Sequence, residues 1–164
     1  MRTGRFEAAG QAARAGAELA RDVGAVALVP WATVWAAEAA LELGDEATAE
    51  TMYAEAYTLG CEIGDPCWEA LALRGLALVA RRNQRTDQAR DLLTEAVASC
   101  RRLADVYKWA EVVVLTELLE PDPAAQDVEL ARALGLATIG PMPDLFERLQ
   151  NRSRLQTRTQ TGDR

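Results

Sequence analysis

Written in rows offset by forty residues, this 164-residue chain repeats itself. Ala9, Ala49 and Ala89 share a column, as do Ala13, Tyr53 and Leu93, and Gly16, Ala56 and Ala96. Further along, Val23 aligns with Ile63 and Leu103, and Gly24 with Gly64 and Ala104. A fixed period of this length is a strong constraint, because one such unit cannot bury its own apolar face and becomes stable only against the next unit.

Within each row the apolar positions step by three, four and seven, which places them on one stripe of an α-helix. The first stripe reads Ala9, Ala12, Ala13, Gly16, Leu19, Ala20 and Val23. The second reads Ala49, Met52, Tyr53, Ala56, Leu59 and Ile63, and the third Ala89, Leu92, Leu93, Ala96, Cys100 and Leu103. Turn residues separate them. Gly64 closes a helix in the left-handed conformation, Asp65 caps the next, and Pro66 fits its first position, where no backbone donor is needed. Gly44 and Asp45 repeat the stop and cap, and the stretch 83–87 serves the third stripe, with Thr86 or Asp87 as the expected cap.

Between the stripes lie helices apolar on more than one side, expected at 27–43, 66–82 and 106–119, as the inner member of a stacked pair must be. Pro30 delays the first of them by a few residues. Hydrophobic residues make up 49% of the chain and aromatics 5%, with alanine dominant, a composition for closely approaching helices. The expected fold is all-α, an α-solenoid of stacked antiparallel helix pairs.

The small residue at Ala37 or Ala77, the Gly44-Asp45 turn, and then Ala49, Tyr53 and Ala56 together resemble the tetratricopeptide signature. The forty-residue unit, and above all the run from Leu59 to Leu78, is similar to the helical repeats in the C-terminal halves of large ATP-dependent LuxR-type bacterial transcriptional activators. The resemblance covers roughly residues 5–120 and implies a tetratricopeptide-like superhelix whose inner helices line a concave partner-binding groove. Carried over column by column, it points to Trp31, Val34 and Glu38 in one repeat and to Leu71, Arg74, Leu78 and Arg81 in the next. Arg74 and Arg81 would share a face and hold a carboxylate of a peptide or effector; pairing with neighbouring acids is the plainer alternative. For Trp31, as for Trp35, Trp68 and Trp109, filling the core is the favoured reading over anchoring a partner. The chain departs from a full regulator in having no Gly-rich loop ending in Gly-Lys-Ser or Gly-Lys-Thr and no DNA-reading helix pair, which marks it as a piece of such a protein or a relative without the other domains.

No chemistry stands out. The chain has no histidine, the commonest general base and metal ligand. Glu38 and Glu42 lie one turn apart but read as solvated surface, and no serine or cysteine has a base partner. The expectation is a non-catalytic module with no cofactor and no metal. A net charge of −7 argues against direct binding to nucleic acid. Cys61, Cys67 and Cys100 show no metal-ligand spacing and read as buried, reduced thiols of a cytoplasmic protein. No apolar window suits a membrane span or an export signal.

Both ends depart from the repeat. The stripe over 9–23 has no apolar helix before it, so its face is expected to be covered by a second copy in a homodimer or by a preceding domain. Pro121 and Pro123 end the stack, and a helix over 124–134 closed by Gly135, with another from Pro143 carrying Leu145, Phe146 and Leu149, is expected to cap it. The repeat domain is thus placed at 1–150 and a disordered basic tail with four arginines at 151–164. The leading functional reading is a protein- or effector-binding module from a transcriptional regulator. A free-standing peptide-binding adaptor is the alternative, and a small carboxylate enzyme ranks last.

Overall fold

The computed structural model describes residues 3–104, 107–119 and 150. Among these, the regular structure is entirely helical: α1 (Thr3–Asp22), α2 (Val29–Glu42), α3 (Glu46–Ile63), α4 (Pro66–Arg82), α5 (Thr86–Cys100) and α6 (Lys108–Leu119). A single turn of 3-10 helix, Val26–Leu28, precedes α2. Pro30 sits in the first turn of α2, and the preceding residues take the tighter turn, as the proline required. The capping helices expected over 124–149, the tail at 151–164 and the boundary between them lie outside the described residues.

The chain divides into two compact units, Met1–Arg102 and Leu103–Arg164. In the first, each helix packs on the next, and α2 also touches α4 directly. The inner helices carry most of the core. Ala32, Ala36, Ala37, Ala39, Ala40 and Leu41 are buried on α2, and Ala70, Leu71, Ala72, Leu73, Ala77, Val79 and Ala80 on α4. Helix α3 contributes Ala49, Tyr53, Ala56 and Gly60, spaced by the three- and four-residue steps that put them on one face.

The turns follow the punctuation in two of three places. The Asp45 carboxylate accepts the Thr48 N–H at 3.1 Å, and hydrogen bonding to Thr48 holds its pKa below the usual carboxylate value. Gly64 ends α3 at φ 67°, and Asp65 caps α4 by accepting the Cys67 N–H at 2.9 Å. The third turn corrects the expected cap: α5 starts after Arg85, which makes no side-chain capping bond. Gln84, one period after Gly44, takes the left-handed turn at φ 59°, so the helix begins one residue before Thr86 could act as cap.

Long polar side chains tie successive repeats together. Arg21 on α1 pairs with Glu55 on α3, and the Tyr57 hydroxyl on α3 donates to Glu95 on α5 at 2.7 Å. Arg85 reaches Glu50 at 3.0 Å, and Arg82 reaches Glu42 at 3.3 Å and the Leu41 carbonyl of α2. These bonds, with that of Arg74 to Glu38, span 34 to 41 residues of sequence, about one period each.

The first helix corrects its stripe. Gly10, Ala17 and Ala20 of α1 are buried, with Ala13 and Gly16 half-buried, whereas Ala9, Ala12, Leu19 and Val23 are exposed. Only the half of the stripe turned toward α2 finds a partner. In the second unit, Ala110, Val112, Val114 and Leu115 of α6 are buried, and the buried Glu111 carboxylate accepts from the Lys108 ammonium at 3.2 Å.

Candidate functional site

The two inner helices each leave one narrow face uncovered. On α2, the residues between Val29 and Leu41 that are not buried are Trp31, Trp35 and Glu38, which step by four and then three and so share a face. On α4, those between Glu69 and Arg81 are Arg74, Leu76, Leu78 and Arg81, all half-buried. Arg74, Leu78 and Arg81 again share a face. Of the seven residues expected in a groove, Glu38, Arg74, Leu78 and Arg81 are half-buried, and Glu38 meets Arg74 at a partly open seam between α2 and α4.

Two of the seven are placed otherwise. Val34 is 4% exposed and Leu71 6% exposed, so both are buried. Trp31 corrects the expectation that it fills the core. It is 45% exposed and Trp35 50% exposed, one turn apart on α2, while Trp68 and Trp109 are half-buried. The column partners of the exposed pair explain the difference. Leu71 is buried and Gly75 lies against the Tyr53 ring of α3, whereas among the described residues α2 has no preceding inner helix.

The chemistry of the seam centres on one ion pair. The Arg74 guanidinium donates to the Glu38 carboxylate at 2.7 Å across α2 and α4, with both side chains largely withdrawn from water. Beneath it lies Tyr53 of α3. Its ring occupies the space that a side chain at Gly75 would need, since a Cβ there would come within 2.1 Å of it. The Tyr53 hydroxyl is buried without a hydrogen-bond partner. Burial first, and the Glu38 charge second, raise its pKa well above the ordinary tyrosine value, so the phenol stays neutral. Glu42 is held separately by Arg82, so Glu38 and Glu42 answer to different arginines.

A second polar cluster escaped the reading of the sequence. Glu69, in the first turn of α4, is 5% exposed; its carboxylate accepts from the Ser99 hydroxyl at 3.2 Å and from the Arg102 guanidinium. Its sequence signal is faint: a glutamate inside an otherwise apolar helical stretch, where burial demands a partner. The cysteines also divide. Cys67 and Cys100 are buried as expected, but Cys61 is exposed, because its position on α3 turns away from both flanking inner helices. Burial pushes the Cys67 thiol up to about 12.

Among the described residues no group of three or more His, Cys, Asp or Glu is placed to hold a metal ion, and no helix is long and apolar enough to cross a membrane. No protein-family model, no curated protein and no solved structure matches this chain.

Proposed function

We propose that this chain is a non-catalytic, tetratricopeptide-like solenoid module of a cytoplasmic bacterial regulator, and that it binds a protein or peptide segment along the seam between α2 and α4. The observation that carries this reading is the half-open stripe Arg74, Leu78 and Arg81 on α4 beside Glu38 on α2. It alternates guanidinium and aliphatic groups along one face. An extended or helical segment bearing a carboxylate next to an apolar side chain matches that pattern, with Trp31 and Trp35 as apolar anchors at the margin.

The arrangement favours binding over chemistry. The Glu38 carboxylate is bonded to an arginine, and the nearest hydroxyl, Tyr53, is buried and held neutral. Neither is poised to move a proton. The cross-repeat bonds spaced by about one period support the solenoid reading, since a repeat stack joins each unit to its sequence neighbours.

The test is selection from a phage-displayed peptide library against the whole chain, followed by titration of the recovered peptides. Peptides carrying an acidic residue beside an aliphatic one are expected, and Arg81→Ala should weaken them by about tenfold or more with unchanged helical circular dichroism. A library without binders, or binders indifferent to Arg81→Ala and Leu78→Ala, would remove the seam from consideration.

A further inference from the structure

The hydroxyl of Tyr53 has no part in the packing that places its ring. Gly75 makes room for the ring, and a phenylalanine would fill that space as well. The other buried hydroxyls among the described residues are bonded. Thr33 and Thr116 each donate to a carbonyl one turn back, at 2.9 and 2.8 Å, and Ser99 donates to Glu69. Tyr57, one turn further along α3, donates to Glu95. Tyr53 alone of these is fully buried with its hydroxyl unbonded, so the water it gave up on folding has no replacement.

An acceptor stands close by. Among the charged groups around Tyr53, Glu38 acts on it most, followed by Arg74 and Arg82. The Glu38 carboxylate is engaged with the Arg74 guanidinium instead. A guanidinium and a phenol therefore contend for one carboxylate, and the guanidinium has it because the charge-assisted bond is the stronger. Glu38 and Arg74 both keep part of their surface in water, so a carboxylate arriving from solvent can meet them. Tyr53, fully buried, is out of a ligand's reach.

We infer that Glu38 is an internal stand-in for the ligand: a carboxylate of the incoming segment takes its place on Arg74, and Glu38 turns to accept from the Tyr53 hydroxyl. This rests on the reading of the seam as a carboxylate-binding surface and adds the exchange that admits the ligand. Arg74 carries a carboxylate before and after, and the buried phenol gains an acceptor. The charges of Arg74 and Arg82, both felt at Tyr53, offset that of the displaced Glu38. A neutral or basic segment gives Arg74 nothing in return for Glu38. The contact thus selects against partners that would otherwise settle on the exposed Trp31 and Trp35.

Fluorescence anisotropy on the full chain, with a labelled peptide of alternating glutamate and leucine as the probe, tests the exchange. Glu38→Ala is expected to lower the dissociation constant by about tenfold, because the peptide no longer displaces a charge-assisted bond. Glu38→Gln keeps the side-chain volume and should move it the same way by less. Tyr53→Phe should raise it by about fivefold in the otherwise wild-type chain. In the Glu38→Ala background the same substitution should do nothing, since no carboxylate remains to turn. Circular dichroism checks that each variant keeps its helices. Binding that depends on Arg81 and Leu78 but is weakened or unmoved by Glu38→Gln overturns the exchange and leaves the seam as a binding surface. A general effect of charge would favour Glu38→Gln with no response to Tyr53→Phe, and that result also overturns the exchange. A peptide that binds neither the wild-type chain nor Glu38→Gln overturns both readings.

Discussion

Helices α2 and α4 hold the same place in successive repeats and carry opposite charge. The ionisable residues of α2 are Glu38 and Glu42, whereas α4 carries Arg74, Arg81 and Arg82 against a single glutamate, Glu69. The positions that the two share are small and buried, as at Ala32 and Ala72, Ala37 and Ala77, and Ala40 and Ala80. The positions that differ face the neighbouring helix or solvent. The shared columns thus go with burial, and the departures from them supply the polar bonds between α2 and α4. Arg82 and Glu42 stand in one column, so theirs is a bond that two identical repeats could not make.

The strongest test of this contrast is the column Trp35 and Gly75. A methyl group at Gly75 would collide with a fully buried aromatic ring, and a packed core relaxes poorly. Gly75→Ala should therefore cost about 3 kcal/mol or more in urea denaturation, and adding Tyr53→Leu should recover part of the loss. Trp35→Ala, one period earlier, should cost under about 1 kcal/mol, because half of that side chain is already in water. Equal costs would mean that Trp35 is packed as tightly as Gly75 and that the contrast between the two helices is absent at this column.

A smaller effect separates the two ion pairs. Arg74 and Glu38 are 15% and 27% exposed, Arg82 and Glu42 40% and 43%. A double-mutant cycle with alanine should give a coupling of about 1–2 kcal/mol for the first pair and at most about 0.5 kcal/mol for the second. Comparable couplings would show that the seam is no drier than the exposed rim, and would weaken the case for it as a binding surface.

What could be read from the sequence divides along the same line. The spans of α2, α4 and α6 fall within two residues of the expected ranges, because an apolar stripe with the helical period and a Gly-Asp or Asp-Pro turn are local signals. The exposure of Trp31 and Trp35 was not legible. A column predicts burial only where a neighbouring repeat lies among the described residues to supply it. The Glu38–Arg74 bond was present only as an unassigned alternative, since pairing across helices depends on their lateral register, which residues 36 apart do not encode by themselves. Val34 and Leu71 are buried, and the degree of burial at one position follows from the side chains of several helices, which the column alone does not encode.

The turns offer a gain of stability where the other comparisons give losses. Gly44 and Gln84 occupy the same turn one period apart, at φ 82° and 59°. The first has no Cβ to crowd; the second has one. Gln84→Gly should remove roughly 1 kcal/mol of left-handed strain, partly offset by the greater freedom of glycine in the unfolded chain. The expected net gain is about 0.5 kcal/mol, seen as a higher urea midpoint. A loss would mean that the Gln84 side chain contributes contacts that outweigh its backbone.

The smallest effect at neutral pH lies beneath the seam and grows with alkali. The Tyr53 hydroxyl is buried and unbonded, so Tyr53→Phe keeps the ring against Gly75 and removes a group that lost its water on folding. The gain should stay below about 1 kcal/mol. Because burial raises the pKa of Tyr53 from an ordinary value of 10.0, the folded state prefers the neutral phenol. The stabilisation this gives is whole below the unfolded value and drains away as pH climbs past it. Cys67 acts with the same sign from lower pH, its thiol shifted from 9.0 to about 12. Wild-type stability should accordingly fall between about pH 8 and about pH 11, and Tyr53→Phe should lose less over that interval while Cys67→Ala flattens its early part. Parallel curves for wild type and Tyr53→Phe would place the hydroxyl in contact with water and open the seam one layer deeper than the packing of Tyr53 against Gly75 allows.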